Sequence, residues 1–519
     1  MRACSAIVAV IAAQGIAMGH GFADSAGFAK TVDDGVIAID SPAEKSSFEI
    51  HGSFRTRGEV LYNFDLDRGL DASGQPLFPV PAGDERAQAL TGANLRLRTD
   101  MRFRGPGSGL SVVLRTDVLD NLTLGSTPSL RAGTPASSTG QEAPLQALRV
   151  KRAYGEAVLP IGVLSVGRQG NHWGLGMVAN GGDAEGADSG DAADRIAFVT
   201  PLLGHIFAVA YDISATGPLR DDKSFSRSVD IEPTDDVQNL TFAFMRYHTD
   251  LARTRRSRAG RTTIEYGAYA SHRWQENDIP GSYLGDGTNG SANTVMKRGF
   301  SATATDVWFR FATRTLRIEA EAAYLHANVE QASLVPGVEF YEPATSNQFG
   351  AALQSSLDVA GIRVGIDAGM ASGDASPGFG AQASDPQANP PFDTRIDNFR
   401  FHTDYRIDRI LFREIIGTVT DAWYLRPHVR VPLVDAGGAR LLFDAALISS
   451  WAMEASSTPS GERALGVEVD PSLRYETRDG FVAALEYAVL APLGAFDNPA
   501  AGLNARAAQL WRLHLGFPF

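Results

Sequence analysis

Arginine is the side chain whose placement in this sequence could do chemistry. Arg55 and Arg57, then Arg96, Arg98, Arg102 and Arg104, recur at even spacing, so in an extended backbone each group shares one face. Arg317, Arg363, Arg426 and Arg430 follow in stretches of the same alternating kind, with Arg474 and Arg512 after them. A planar guanidinium grips carboxylate or phosphate through two parallel hydrogen bonds, so a wall of such groups would attract and select anions. On the same faces stand Glu59, Asp100, Glu265, Glu319, Glu321 and Asp367, half as many acids as arginines. Two readings stay open: an anion-enriching surface, or arginines and acids that pair across neighbouring strands to satisfy one another. Only five lysines lie beyond residue 23, so overall composition also accounts for the choice of arginine.

A second candidate is the stretch 181–194, where Asp183, Glu185, Asp188, Asp191 and Asp194 lie among glycines. Several hard oxygens on a flexible backbone suit calcium, with Asp183, Asp188 and Asp191 as the ligands. The spacing fits no EF-hand, and a solvated acidic loop is the competing reading. Catalytic signatures are otherwise missing: there is no His-Glu-x-x-His, no Gly-x-Ser-x-Gly and no phosphate-loop lysine motif. Gly285-Asp-Gly287-Thr-Asn-Gly290 has the spacing of a dinucleotide fingerprint, but it sits in a polar stretch with no strand before it and no helix after. His172, His205, His248, His272, His326, His402, His428 and His514 are too scattered to nominate a catalytic group. The expectation is a chain without enzymatic activity or cofactor, calcium aside.

The elements that must position the arginines are legible in 95–104. Leu95, Leu97, Met101 and Phe103 make one face, and Arg96, Arg98, Asp100, Arg102 and Arg104 the other. In a soluble sandwich the ionic face would meet bulk water; in a transmembrane barrel it would line the lumen, with the apolar face on lipid. Roughly eighteen stretches of this kind, from 54–64 and 95–104 to 481–489 and 508–519, have lengths suited to tilted spanning strands. One further stretch, 399–403, has an uncertain period. Links alternate between short ones, such as 160–162, 202–204, 360–361 and 435–438, and long ones near 170–192, 214–236, 275–297, 371–397 and 491–506. That alternation suits short periplasmic turns and long outer loops. Trp274, Trp308, Trp423, Trp451 and Trp511 fall mainly near strand ends, where aromatic girdles would stand. The period breaks down in 404–417, which reads either as a short helix folded into the lumen or as a strand with its partner loop.

Composition agrees with an exported barrel. Residues 1–23 resemble a secretory signal, with Arg2, an apolar run from Ala6 and small residues ending at Ala23. The one cysteine, Cys4, lies inside that signal, so neither disulfides nor thiolate metal sites support the mature fold. No later stretch is long and apolar enough for a membrane helix. The 519 residues carry a formal charge of −13 and show no linker, which gives a polar lead-in at 24–46 and one barrel at 47–519. An acidic chain argues against nucleic acid as a partner.

The last residues are specific. Trp511, Leu513, Leu515, Phe517 and Phe519 alternate with Arg512, His514, Gly516 and Pro518, and the chain stops on the aromatic. This resembles the C-terminal assembly signal of bacterial outer-membrane barrels, which implies recognition by the barrel-assembly machinery. Val166-Gly167-Arg168-Gln169 is similar to a motif of alginate-export-type barrels. The run Gly167-Arg168, Trp173-Gly174-Leu175-Gly176-Met177, Ala179-Asn180-Gly181-Gly182-Asp183, Gly190-Asp191 and Asp194-Arg195-Ile196 resembles an uncharacterised family of large outer-membrane barrels. Asp404-Tyr405-Arg406, Leu411 to Thr418 and Tyr424-Leu425-Arg426-Pro427 are similar to the same family. The resemblance covers most of the mature chain and implies a fold and a Gram-negative outer-membrane setting among lipids and lipopolysaccharide, not an activity or an alginate cargo.

The expected function is a porin-like channel or exporter with an arginine-rich lumen that passes small or polymeric anionic solutes by passive diffusion. Two alternatives stand beside it: a barrel enzyme with a rim active site, and a structural or adhesive barrel with a plugged lumen.

Overall fold

Side-chain alternation along each strand builds this chain into a wall. The computed structural model describes residues 46–519, apart from 72–73, 83–87, 107–108, 125–147, 218–219, 224–226, 231, 279–294, 334–341 and 380–392. The expected signal, nearly all of the lead-in and the glycine run 285–290 lie outside the described residues.

The strands are β1 Ser47–Tyr62, β2 Ala89–Arg104, β3 Leu110–Thr123, β4 Leu148–Leu159, β5 Gly162–Gly170, β6 Ala192–Leu202, β7 His205–Ala215, β8 Arg220–Lys223, β9 Arg227–Asp230 and β10 Val237–Arg246. They continue as β11 Thr263–Asp278, β12 Met296–Ala312, β13 Leu316–Val329, β14 Ala344–Val359, β15 Ile362–Ala371, β16 Ala422–Ala436, β17 Ala439–Ala452, β18 Ala464–Thr477, β19 Val482–Pro492 and β20 Ala508–Pro518. β8 and β9 form a separate hairpin in a long link, and the others make one 18-stranded antiparallel sheet. β1 pairs with both β2 and β20, which closes the sheet and leaves it without an edge. At the seam Gly52 and Phe519 exchange two backbone hydrogen bonds, of 3.0 and 2.9 Å. A Cβ on Gly52 would lie 2.3 Å from the Phe519 ring and 2.5 Å from the Arg98 carbonyl, so the seam closes there only without a side chain.

Each strand sorts its residues by face. On β7, Phe207, Val209, Tyr211 and Ile213 are exposed while Ile206, Ala208, Ala210 and Asp212 are buried. On β20, Trp511, Leu513 and Phe517 are exposed, as is Phe519 just after it, and Arg512 and His514 are buried. The exposed face is apolar on strand after strand, with Phe48, Phe103, Val112 and Val307 as further instances. Acyl chains, not water, solvate such a surface on a closed sheet. Among the described residues no helix is long and apolar enough to cross a membrane, so the strands do the crossing.

Short links at 160–161, 203–204, 313–315, 360–361, 437–438 and 478–481 all lie at one end, and long links at the other. One link at the short end departs from the expectation. Residues 247–262 carry a helix, α1 Asp250–Arg258, whose N-terminus is capped by Thr249 Oγ1 accepting from the Ala252 N–H at 3.0 Å. Asp250 in its first turn and Arg255, Arg256 and Arg258 in its last complement the helix dipole.

Two sequence expectations are corrected. Residues 399–403 are not a strand; they make a single bridge, Arg400 with Thr420. Trp308 is not part of a girdle: it is buried inside the barrel, where its indole N–H donates to Glu319 at 2.8 Å. Trp423 and Trp451, at the long-loop ends of β16 and β17, do stack on each other with centroids 4.0 Å apart.

Two long links fold inward. Residues 171–191 and 393–421 bring Leu175, Met177, Phe401, Ile410, Leu411 and Phe412 into a cluster against Ile448, Leu490 and Leu510 of the wall. The main apolar core therefore lies inside the barrel.

Candidate functional site in the barrel lumen

The first inward loop crosses from one wall to another. Its first part is pinned to β12 and β13: the Trp173 indole N–H donates to Asp306 at 2.8 Å, and the Leu175 N–H donates to Glu321. Gly174 makes the close approach there; its φ is +55° and a Cβ would lie 2.4 Å from a Glu321 carboxylate oxygen. Buried His172 accepts from the Gly181 N–H through Nδ1 at 3.2 Å, and burial pushes its pKa below the ordinary imidazole value, which keeps it neutral in this role.

The second part, 181–188, rests on arginines of the opposite wall. Arg152 donates to the Gly181 carbonyl and Arg98 to that of Gly182, both at 2.6 Å. Arg96 and Arg55 donate to the Ala187 carbonyl at 2.8 and 3.0 Å. The loop carboxylates do the same work in reverse. Asp183 pairs with Arg115 and, at 3.0 Å, with Arg152; Glu185 pairs with Arg474 at 2.6 Å and His514 at 3.4 Å. Asp188 faces Arg55 at 2.8 Å, Arg57 at 3.1 Å, Arg406 at 2.6 Å and Arg413 at 3.6 Å.

Asp183, Asp188 and Asp191, expected as calcium ligands, are therefore not brought together. Asp191 lies 3.3 Å from His402, away from the partners of the other two. Among the described residues no three His, Cys, Asp or Glu side chains are grouped to hold a metal ion. Guanidinium groups stand where a cation would be required. The stretch is not a free solvated loop either, because the wall's positive charge draws it inward.

The inner segment 393–421 supplies the remaining cations. Asp404 accepts from the backbone N–H groups of Asp188 at 2.9 Å and Ser189 at 3.0 Å, which joins the two links. Residues Leu411–Ile415 form one π-helical turn. Its unpaired N–H groups are met by carboxylates: Glu468 accepts from Arg409, Ile410 and Leu411 at 2.9, 2.8 and 3.0 Å, and Asp408 from Phe412 and Arg413 at 2.8 and 3.1 Å. Burial pushes the Asp408 carboxyl up to about 7 against these N–H bonds, with the Asp470 charge adding to it. Of the two readings of 404–417, the structure has the helical turn inside the lumen.

All twelve arginines singled out from sequence project from the inner face. Beyond those named, Arg102 pairs with Glu156 at 3.4 Å, Arg104 with Glu49 at 3.9 Å, Arg363 with Asp358 at 2.9 Å and Arg426 with Asp367 at 2.6 Å. Arg317 pairs with Glu319, and Arg430 with Asp444. Arg512 donates to Glu59 at 2.8 Å and to Glu414 at 3.0 Å. Sequence reasoning missed Arg406, Arg409 and Arg413, which lie in a link without period. It also missed Arg115 on β3, whose alternation with Asp117 was a usable signal.

An apolar exterior and an ionic interior on one closed sheet decide the class. The chain is an outer-membrane β-barrel. Among solved structures it is similar to OccAB1 of Acinetobacter baumannii, at 11% identity over 91% of this chain and 96% of that one with a TM-score of 0.46. It is also similar to OccK11 (OpdR) of Pseudomonas aeruginosa, at 11% identity over 92% and 98% with a TM-score of 0.45. The outer membrane protein OpdK of the same organism is similar at 10% identity over 91% and 98%, also with a TM-score of 0.45. No protein-family model and no curated protein matches the sequence. The resemblance to alginate-export-type barrels thus rests on the residues quoted for it, and the lumen must be read from its own side chains.

Proposed function

We propose that this barrel is a porin-like channel that passes small carboxylate- or phosphate-bearing solutes by passive diffusion, through a lumen narrowed by 171–191 and 393–421. One observation carries the reading: Arg55, Arg57, Arg406 and Arg413 all face the carboxylate of Asp188, and with Asp404 on Arg406 and Glu414 on Arg413 counted as well, guanidinium still exceeds carboxylate in this group. Burial, with Arg512, Arg406 and Arg57 adding to it and Glu414 opposing, pushes the Arg413 pKa well below the ordinary guanidinium value. Low-dielectric walls focus such a field and enrich anions in the water between them.

Reversal potentials across a planar bilayer under a potassium chloride gradient test this. Preference for chloride is expected, and preference for potassium sinks the reading. A second reading, a structural barrel with a sealed lumen, is favoured by the apolar cluster around Ile410, Leu411 and Phe412, each at most 2% exposed. It predicts full insertion without conductance, so the same bilayer separates the two.

The outer face supports contact with lipid and lipopolysaccharide. Trp511, Leu513, Leu515, Phe517 and Phe519 share the outer face of the closing strand, which supports recognition of β20 by an assembly machinery before the seam forms.

A further inference from the structure

Two of the guanidinium groups around Asp188 are also held by other residues: Arg406 reaches Asp404 at 3.2 Å and donates to the Gly186 carbonyl at 2.6 Å, and Arg413 reaches Glu414 at 3.3 Å. Arg57 belongs to β1, while Arg406 and Arg413 belong to the inner segment, and all three approach the same oxygen, Oδ2, at 3.1, 2.6 and 3.6 Å. Arg55 takes the other oxygen at 2.8 Å. One carboxylate oxygen accepts well from about two donors, and Arg413 at 3.6 Å stands beyond hydrogen-bond distance of it, so its contact with this oxygen is ionic only. The Nε atoms of Arg57 and Arg406 are buried without a hydrogen-bond partner, which shows a shortage of acceptors.

The backbone beneath Asp188 is held by other groups. Asp404 accepts from the Asp188 and Ser189 N–H groups, Asn121 donates to the Asp188 carbonyl at 2.7 Å, and Arg55 and Arg96 hold the Ala187 carbonyl. The side chain is 27% exposed, so lumen water reaches it. The carboxylate therefore sits as a guest in a cradle that other residues build and that solvent can enter.

We infer that Arg57, Arg406 and Arg413 form a binding site for one solute carboxylate or phosphate, and that Asp188 occupies it as a built-in competitor. The inference rests on the anion-channel reading and goes beyond it. A solute anion that enters takes over guanidinium donors from Asp188, and the tethered carboxylate returns when the anion leaves. Binding is thereby kept weak enough for release, as conduction requires.

The test uses the full barrel in planar bilayers with inorganic phosphate as the probe, reading the phosphate concentration that halves the chloride current. Asp188→Asn is expected to be blocked at about tenfold lower phosphate than the natural chain, because the competitor is gone and the cradle stays. Asp444→Asn removes an equal charge from the same lumen, beside Arg430, and is expected to leave phosphate block unchanged. Adding Arg413→Gln to Asp188→Asn is expected to abolish the gain. Should the amide misfold, Asp188→Ser makes the same comparison with a smaller neutral side chain. Equal shifts in Asp188→Asn and Asp444→Asn would show a general change of lumen potential and overturn the site, as would unchanged block in Asp188→Asn. Failure of the channel reading looks different: the natural chain would not prefer chloride at all.

Discussion

Arg406 of the inner segment donates to Asp188 of the crossing loop at 2.6 Å, across 218 positions of sequence. Its other nitrogen donates to the Gly186 carbonyl, also at 2.6 Å. Two links made independently by the chain are thereby fastened to each other inside the wall.

Arg406→Ala should loosen both links without opening the barrel. A charge-assisted hydrogen bond in a partly buried setting contributes about 1.5–3 kcal/mol, so amide exchange at 188 and 189 should quicken by roughly tenfold or more. Heat-modifiability on gels should be unchanged, because no ladder bond is lost. Unaltered exchange at 188 and 189 would show that the links are held elsewhere.

Acid should loosen the crossing loop without freeing it. Burial raises the Asp188 pKa, but Arg406, Arg57, Arg55 and Arg413 outweigh it and hold the carboxyl well below the ordinary range. A depressed folded pKa gives stability that is complete above the unfolded value, about 3.9, and is lost as pH falls through the folded one. Protease nicking within 181–190 should increase as pH drops from about 5 to about 3, and Asp188→Asn should lack this carboxylate's share of the change. A loop equally resistant at both pH values contradicts the pairing.

Asp408 should respond with the opposite sign. Its carboxyl is raised to about 7, chiefly by burial, so the docked turn favours the protonated form. The docking it supports is strongest below the unfolded value and weakens as pH rises toward about 7. After correction for intrinsic exchange, protection of the Ile415 and Ile416 amides should decline between about pH 5 and about pH 8, and Asp408→Asn should flatten the decline. Protection that increases with pH in the natural chain would refute the assignment.

The seam should be intolerant at Gly52. A Cβ there meets the Phe519 ring at 2.3 Å and the Arg98 carbonyl at 2.5 Å, and the second of these is backbone that cannot swing away. Gly52→Val should greatly lower the yield of heat-modifiable barrel, whereas Gly58→Val, with nothing within 4 Å of its Cβ position, should fold. Removal of Phe519 alone should weaken closure less, since it loses the two hydrogen bonds to Gly52 and introduces no clash. Equal yields for the two valine variants would place the closing contact elsewhere.

The sequence by itself determined the wall. A two-residue period is a local property: once Leu97 and Phe103 face lipid, Arg98 and Arg102 must face inward, whatever the rest of the chain does. The closing strand was legible for the same reason, in the alternation from Trp511 to Phe519, but its pairing with β1 was not. What only the tertiary structure decided is the content of the lumen. Asp188 and Arg406 lie in links without period, and their meeting depends on which wall each link crosses toward. The loop 181–194 reads locally as acidic and flexible, which suits calcium or water equally. Closure of the sheet brought Arg55, Arg57, Arg98 and Arg115 to its far side and turned those carboxylates into their counter-ions, because a buried guanidinium draws the nearest mobile anion and here that anion is part of the chain.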